Sequence, residues 1–154
     1  MSGLQFKSKA KILKQIKGML MYFHVPKLIS INATSFKEKK NLSIGNIFKS
    51  ELLIIRSSAA DEDGKSESAA GEYESVLNVP ANNSEKIIAA INTVIASYKR
   101  KRTLLPADEV IIQEMVQDTT MSGVIFTHDL NTGAPYYVVN YDDQSGVTDM
   151  VTSG

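Results

Sequence analysis

The side chains best suited to chemistry lie between positions 56 and 71. Arg56-Ser57-Ser58-Ala59 sets a guanidinium at the end of the apolar segment Leu52 to Ile55, and small and hydroxyl-bearing residues follow as far as Ser68-Ala69-Ala70-Gly71. A guanidinium holds phosphate through paired, charge-assisted hydrogen bonds, and small residues let backbone N–H groups come close to an anion. Such a loop can fold over a polyphosphate. The same stretch carries Asp61, Glu62, Asp63 and Glu67, with Glu72 just beyond. These repel phosphate unless a divalent cation or an outward orientation intervenes. A mobile acidic surface loop is therefore the competing reading, and residue types alone leave the two level.

Other chemistries find less support. Neither a G-x-x-x-x-G-K-[ST] loop nor a G-x-G-x-x-G turn occurs, so those phosphate cradles do not apply. The two histidines, His24 and His128, are too few for a multi-histidine metal centre. His24 falls where a helical run ends, and His128 at a strand end has the better claim to a cleft. Asp61-Glu62-Asp63-Gly64 lacks the glycine and glutamate positions of a calcium loop. The absence of cysteine excludes disulfides, cysteine-ligated zinc and thiol catalysis.

The elements that must position Arg56 follow from periodicity. A helix is expected from about Gln5 to Phe23, with Ile12, Ile16, Met19, Leu20 and Phe23 at helical spacing, and Pro26 ends the run before a short strand at Lys27 to Ile31. A shorter helix is expected over Ser43 to Ser50, then a strand from Leu52 to Arg56. Residues 57–72 hold no large apolar side chain and must form a long loop. Tyr73 to Val79 alternates as a strand. Asn82 and Glu85 have capping-box spacing ahead of Ile87, Ile88, Ile91, Val94, Ile95 and Tyr98, an amphipathic helix closed by Lys99-Arg100-Lys101-Arg102, where positive charge complements the helix dipole. Glu109 to Val116, Ser122 to Thr127 and Pro135 to Tyr141 read as a β meander. This order predicts a mixed α/β or α+β domain.

With 154 residues, 43% hydrophobic and 22% charged, the composition is that of one soluble domain or a large piece of one. Apolar runs such as Leu52 to Ile55 are too short to cross a bilayer, and the lysines of residues 1–24 are too dispersed for a secretory signal. Net charge is zero but lopsided: residues 1–50 carry +9 and residues 51–154 carry −9. A basic arm suggests nucleic acid or membrane as partner. The basic half lacks interleaved aromatics and dense arginine, which favours mutual attraction of the halves, or opposite walls of a cleft.

Two blocks carry a resemblance. Leu53-Ile54-Ile55-Arg56-Ser57-Ser58-Ala59, Glu62-Asp63, Ser68-Ala69-Ala70-Gly71 and Ser75-Val76-Leu77-Asn78-Val79 form the first. Val110-Ile111-Ile112-Gln113-Glu114-Met115-Val116, Ser122-Gly123-Val124-Ile125-Phe126-Thr127 and Gly133 form the second. In this order they resemble the nucleotide-binding domain of phosphoenolpyruvate synthases and pyruvate phosphate dikinases. The resemblance implies an ATP-grasp-like α+β fold, a mixed and mainly antiparallel sheet with flanking helices, in which ATP lies between two subdomains and passes phosphate to a histidine on a separate swivelling domain. Residues 1–154 would be the leading part of one such domain, incomplete, with 1–50 its basic helix-rich portion and 51–154 its nucleotide-binding motifs.

By the same resemblance Arg56 contacts the ATP phosphates as the catalytic cation, Gly71 and Ser75 belong to the phosphate-covering loop, and Gln113, Met115 and Val116 form the adenine-facing hinge. Asp149 stands where the family has a glutamate that binds magnesium with the nucleotide. ATP and Mg2+ are the implied cofactors. Downstream phosphohistidine and substrate domains are the implied partners, without nucleic acid or membrane, in the cytoplasm. The family's Gly-Gly-Lys segment is absent, with Lys7, Lys9, Lys11 and Lys14 in its region. That departure sustains a second reading, a non-catalytic nucleotide- or anion-binding regulatory module. An incomplete sheet exposes apolar surface, so a dimer is a further expectation.

Overall fold

The computed structural model describes residues 8–36, 44, 47–61 and 72–146. The chain divides into two compact units, Met1–Met115 and Val116–Gly154. In the first, α1 (Lys9–Ile16), β1 (Leu28–Asn32), β2 (Leu52–Ser58), β3 (Ser75–Pro80), α2 (Ser84–Lys101) and β4 (Glu109–Glu114) follow in order; the second holds β5 (Ser122–Phe126) and β6 (Val138–Asp142).

The first unit is a four-stranded antiparallel sheet in the order β1-β4-β2-β3, with α2 on one face. Paired residues share a face. Leu53 and Ile55 of β2, Val79 of β3 and Val110 and Ile112 of β4 point to the helix, where they meet Ile87, Ala90, Ile91, Val94, Ile95 and Tyr98. Those α2 positions recur at helical spacing, which is why the segment buries one stripe. Each fully buried Ile, Leu or Val contributes about 1.5–3 kcal/mol. The mixed α+β class with antiparallel sheet and flanking helices is as the sequence predicts.

Four local expectations change. The first helix spans only Lys9–Ile16, and a turn follows through Gly18 and Met19. The cap of α2 is Asn83, whose side chain accepts the Lys86 N–H, one residue later than the Asn82–Glu85 spacing suggests. Of the helix expected over Ser43 to Ser50, residues 43, 45 and 46 lie outside the described part, and Lys49 and Ser50 form a bend. The meander does not occur: β4 inserts between β1 and β2, and β5 pairs with β6. Alternation identifies a strand, but its neighbours are chosen by which apolar faces meet α2.

In the second unit, Asp129 organises the β5–β6 connection, its carboxylate accepting the Asn131 and Thr132 N–H groups and the Thr132 hydroxyl. Gly133 follows at φ +69°, which suits glycine. A Cβ on Gly123 would sit 2.8 Å from the Asn140 carbonyl oxygen, so the closeness of these strands requires glycine there.

Tyr98 joins α2 to the sheet. Its fully buried hydroxyl donates to the Glu109 carbonyl at 2.7 Å and accepts the Ser58 N–H at 2.9 Å. Tyr98→Phe removes both of these bonds at the end of the β2–β4 ladder and should lower stability by about 1–3 kcal/mol, read as a reduced urea midpoint at unchanged m-value.

Candidate functional site

The sheet face opposite α2 carries the polar residues. Ser30, Ile111, Arg56 and Ser75 form one row across β1, β4, β2 and β3; Leu28, Gln113 and Ile54 form the next. Arg56 and Gln113 are therefore diagonal neighbours on one face, with Cα atoms about 8 Å apart by strand geometry. Arg56 is half-buried, and among the described residues no hydrogen bond or ion pair engages its guanidinium. Ser75 is exposed beside it.

Helix α1 lies on this face, over β1 and β4. The Ser8 and Ser30 hydroxyls donate to the Glu109 carboxylate at 2.9 and 2.7 Å, Lys14 Nζ donates to Ser30 Oγ at 2.6 Å, and the Ala10 N–H donates to Ser58 Oγ at 3.0 Å. Periodicity does not reveal this network, because Ser8, Ser30 and Glu109 are far apart in the chain. Only the alternation of β1 and β4 hints that Ser30 and Glu109 face away from the core.

The hinge residues are more enclosed than a strand edge would be. Gln113 is 5% exposed and its amide donates to the Pro26 carbonyl at 3.4 Å. Since β4 is central, the Glu114 N–H donates to Lys27 O and the Met115 N–H to Leu52 O. Met115 Sδ accepts the N–H of Asn78, a residue at φ 56°. Val116, 59% exposed, carries the first N–H beyond the sheet with no backbone partner among the described residues. A free backbone edge thus begins at Val116, not at Gln113. Gly71 and Asp149 lie outside the described residues.

A buried ion pair fixes the end of β2 that follows Arg56. Arg102, the residue after α2, holds Asp108 through two bonds of 2.7 and 2.9 Å and Asp61 through two of 2.7 Å. Asp108 is fully buried and also accepts the Ala60 and Leu105 N–H groups. Tyr73 donates to Asp61 and packs edge-on against Tyr98 at 4.9 Å. Arg100 pairs with Glu74 and Lys101 with Glu72. The basic run therefore does more than complement a helix dipole: it clasps residues on both sides of positions 62–71. A shallow cleft of about 530 Å³ lined by Lys99 to Leu104 lies among these cations, of which Arg100, Lys101 and Arg102 already have acidic partners.

Burial alone would push the Asp108 carboxyl up, but the guanidinium and the two N–H groups outweigh it and hold it below the usual range. Arg102 holds Asp61 down against a smaller effect of burial, with help from Tyr73. The Tyr73 phenol is pushed up by burial and by its bond to Asp61. Glu114 is held down first by the Lys49 N–H, which donates at 2.9 Å.

The family model of the pyruvate phosphate dikinase AMP/ATP-binding domain matches residues 5–142. The prodigiosin synthesizing transferase PigC of Serratia marcescens is 29% identical over 109 residues, covering 66% of this chain. The chain matches 12% of that protein's length.

The clasp has a pH signature. Both carboxyls titrate lower in the folded protein, so their stabilisation is complete above the unfolded value of about 3.9 and is lost as pH falls through the folded values. Asp108→Asn should cost about 3–5 kcal/mol at pH 7, because it leaves Arg102 without its buried partner. It should also flatten the fall in stability below about pH 4, measured by denaturant titration across pH.

Proposed function

The chain belongs to the family of pyruvate phosphate dikinase AMP/ATP-binding domains, and from that premise we propose that the sheet face around Arg56 grips the phosphates of ATP for transfer to a histidine on a separate domain. The observation that carries this reading is a guanidinium without an acidic partner among the described residues, in one row with the Ser30 and Ser75 hydroxyls. A fixed guanidinium binds phosphate in two-pronged fashion and neutralises charge that develops on the transferring group.

The purine lies toward Gln113, Met115 and Val116. Ile54 and the thioether of Met115 offer apolar surface, and the Val116 N–H offers a donor. Gly71 and Asp149 keep, as proposals, the roles of phosphate-loop glycine and magnesium ligand. Among the described residues no group of three His, Asp or Glu side chains is placed to hold a metal ion. The reaction is placed in the cytoplasm, where ATP is supplied. The transferase name of the relative from Serratia accords with group transfer, while the identity of the final acceptor belongs to domains outside this chain.

Calorimetric titration of ATP and of adenosine separates the two ends of the ligand. Arg56→Ala should weaken ATP binding about 10- to 100-fold, the worth of a lost charge-assisted bond, while adenosine binding changes less than about twofold. An equal loss for both ligands counts against the phosphate role of Arg56. With the separate histidine-bearing domain present, labelled ATP that binds but leaves no acid-labile phosphoprotein would assign the chain to the non-catalytic module instead.

A further inference from the structure

Five consecutive large apolar side chains follow α1 and stand in water. Met19, Met21, Tyr22 and Phe23 are 66%, 86%, 89% and 73% exposed, and Leu20 is 37% exposed. The run is anchored at both ends: the Met19 N–H closes a turn on Ile16 O at 2.8 Å, and Val25 is buried. Helix α1 is itself tied to the sheet through Ala10 and Lys14, so the apolar run projects from a fixed base. A contiguous exposed run of this kind marks an interaction surface.

Charge around the run has a single sign. Lys11, Lys14, Lys17 and Lys27 are exposed, and no Asp or Glu occurs before Glu38. Among the described residues no ion pair within 4 Å engages Lys11, Lys14 or Lys17. We propose that residues 11–23 form a peripheral docking site for an anionic lipid surface, with Met21, Tyr22 and Phe23 entering the headgroup boundary and the lysines meeting lipid phosphates.

Three observations favour a bilayer over other partners. The run is irregular backbone with no repeating apolar face to fill a protein groove, and a bilayer demands none. Thioether and aromatic side chains beside lysines match the composition of interfacial anchors. The lysines that flank the run, with no acidic residue before Glu38, carry the sign of charge that an anionic surface attracts. The inference does not rest on the nucleotide reading, because neither Arg56 nor the Gln113 to Val116 segment takes part in it.

Co-sedimentation with large unilamellar vesicles tests it. The chain should partition onto vesicles with about 30% phosphatidylglycerol at least about tenfold better than onto pure phosphatidylcholine, and about 0.5 M salt should weaken the binding. Met21→Ser/Phe23→Ser should lose at least about tenfold in partitioning. Since both side chains are exposed, its circular dichroism should match the wild type, and Ile125→Ser/Tyr141→Ser on the second sheet should partition normally. Tyr22→Trp should give blue-shifted emission only with anionic vesicles. Equal partitioning of wild type and the Met21/Phe23 variant, or indifference to lipid charge, overturns the proposal. A blue shift that appears on concentrating the protein without lipid also overturns it and assigns the run to a second copy of the chain.

Discussion

Removing Asp108 from water is possible only because every side of its carboxylate is met. Two guanidinium nitrogens of Arg102 and the N–H groups of Ala60 and Leu105 converge on it. These partners come from the segment leaving β2, the segment leaving α2 and the approach to β4. One ion thus closes three chain passages at a point where no apolar packing could do so, since backbone polar groups there need partners. The second carboxylate on Arg102, from Asp61, extends the grip to Tyr73 ahead of β3.

That closure bears on Arg56. The residue sits two positions before the end of β2, and the strand leads directly into the Ala59–Asp61 segment that the clasp holds. Tyr98 braces the same end through the Ser58 N–H. On the other side, Glu114 receives the Lys49 and Lys27 N–H groups, tying the entrances of β2 and β1 to the end of β4. Arg56 therefore stands on a strand fixed at both ends, the kind of rigid element on which a binding side chain is best placed.

How much was legible in the sequence depended on the range of the interaction. The α2 stripe and the strands around Leu53, Val79 and Ile111 could be read from local spacing, and their order gave the fold class. Sheet order could not: Glu109 to Glu114 looks like the start of a meander, yet its near-continuous burial is that of a central strand. The motif that drew attention to Arg56 is contiguous and so visible. The partners of Arg102 and Glu109 are up to 101 residues away in the chain, and spacing carries no trace of such pairs. Enclosure of the backbone at Glu114 and Met115 was hidden for the same reason, since it follows from β1 and β2 flanking β4.

The order β1-β4-β2-β3 also sets a schedule for assembly. β2 and β3 are consecutive and can zip as soon as both exist, but β1 has no neighbour until residues 109–114 arrive to slot beside it. During synthesis β1 must wait for a strand made some eighty positions later. Closing so long a loop is entropically slow, so insertion of the late central strand is where a kinetic bottleneck belongs.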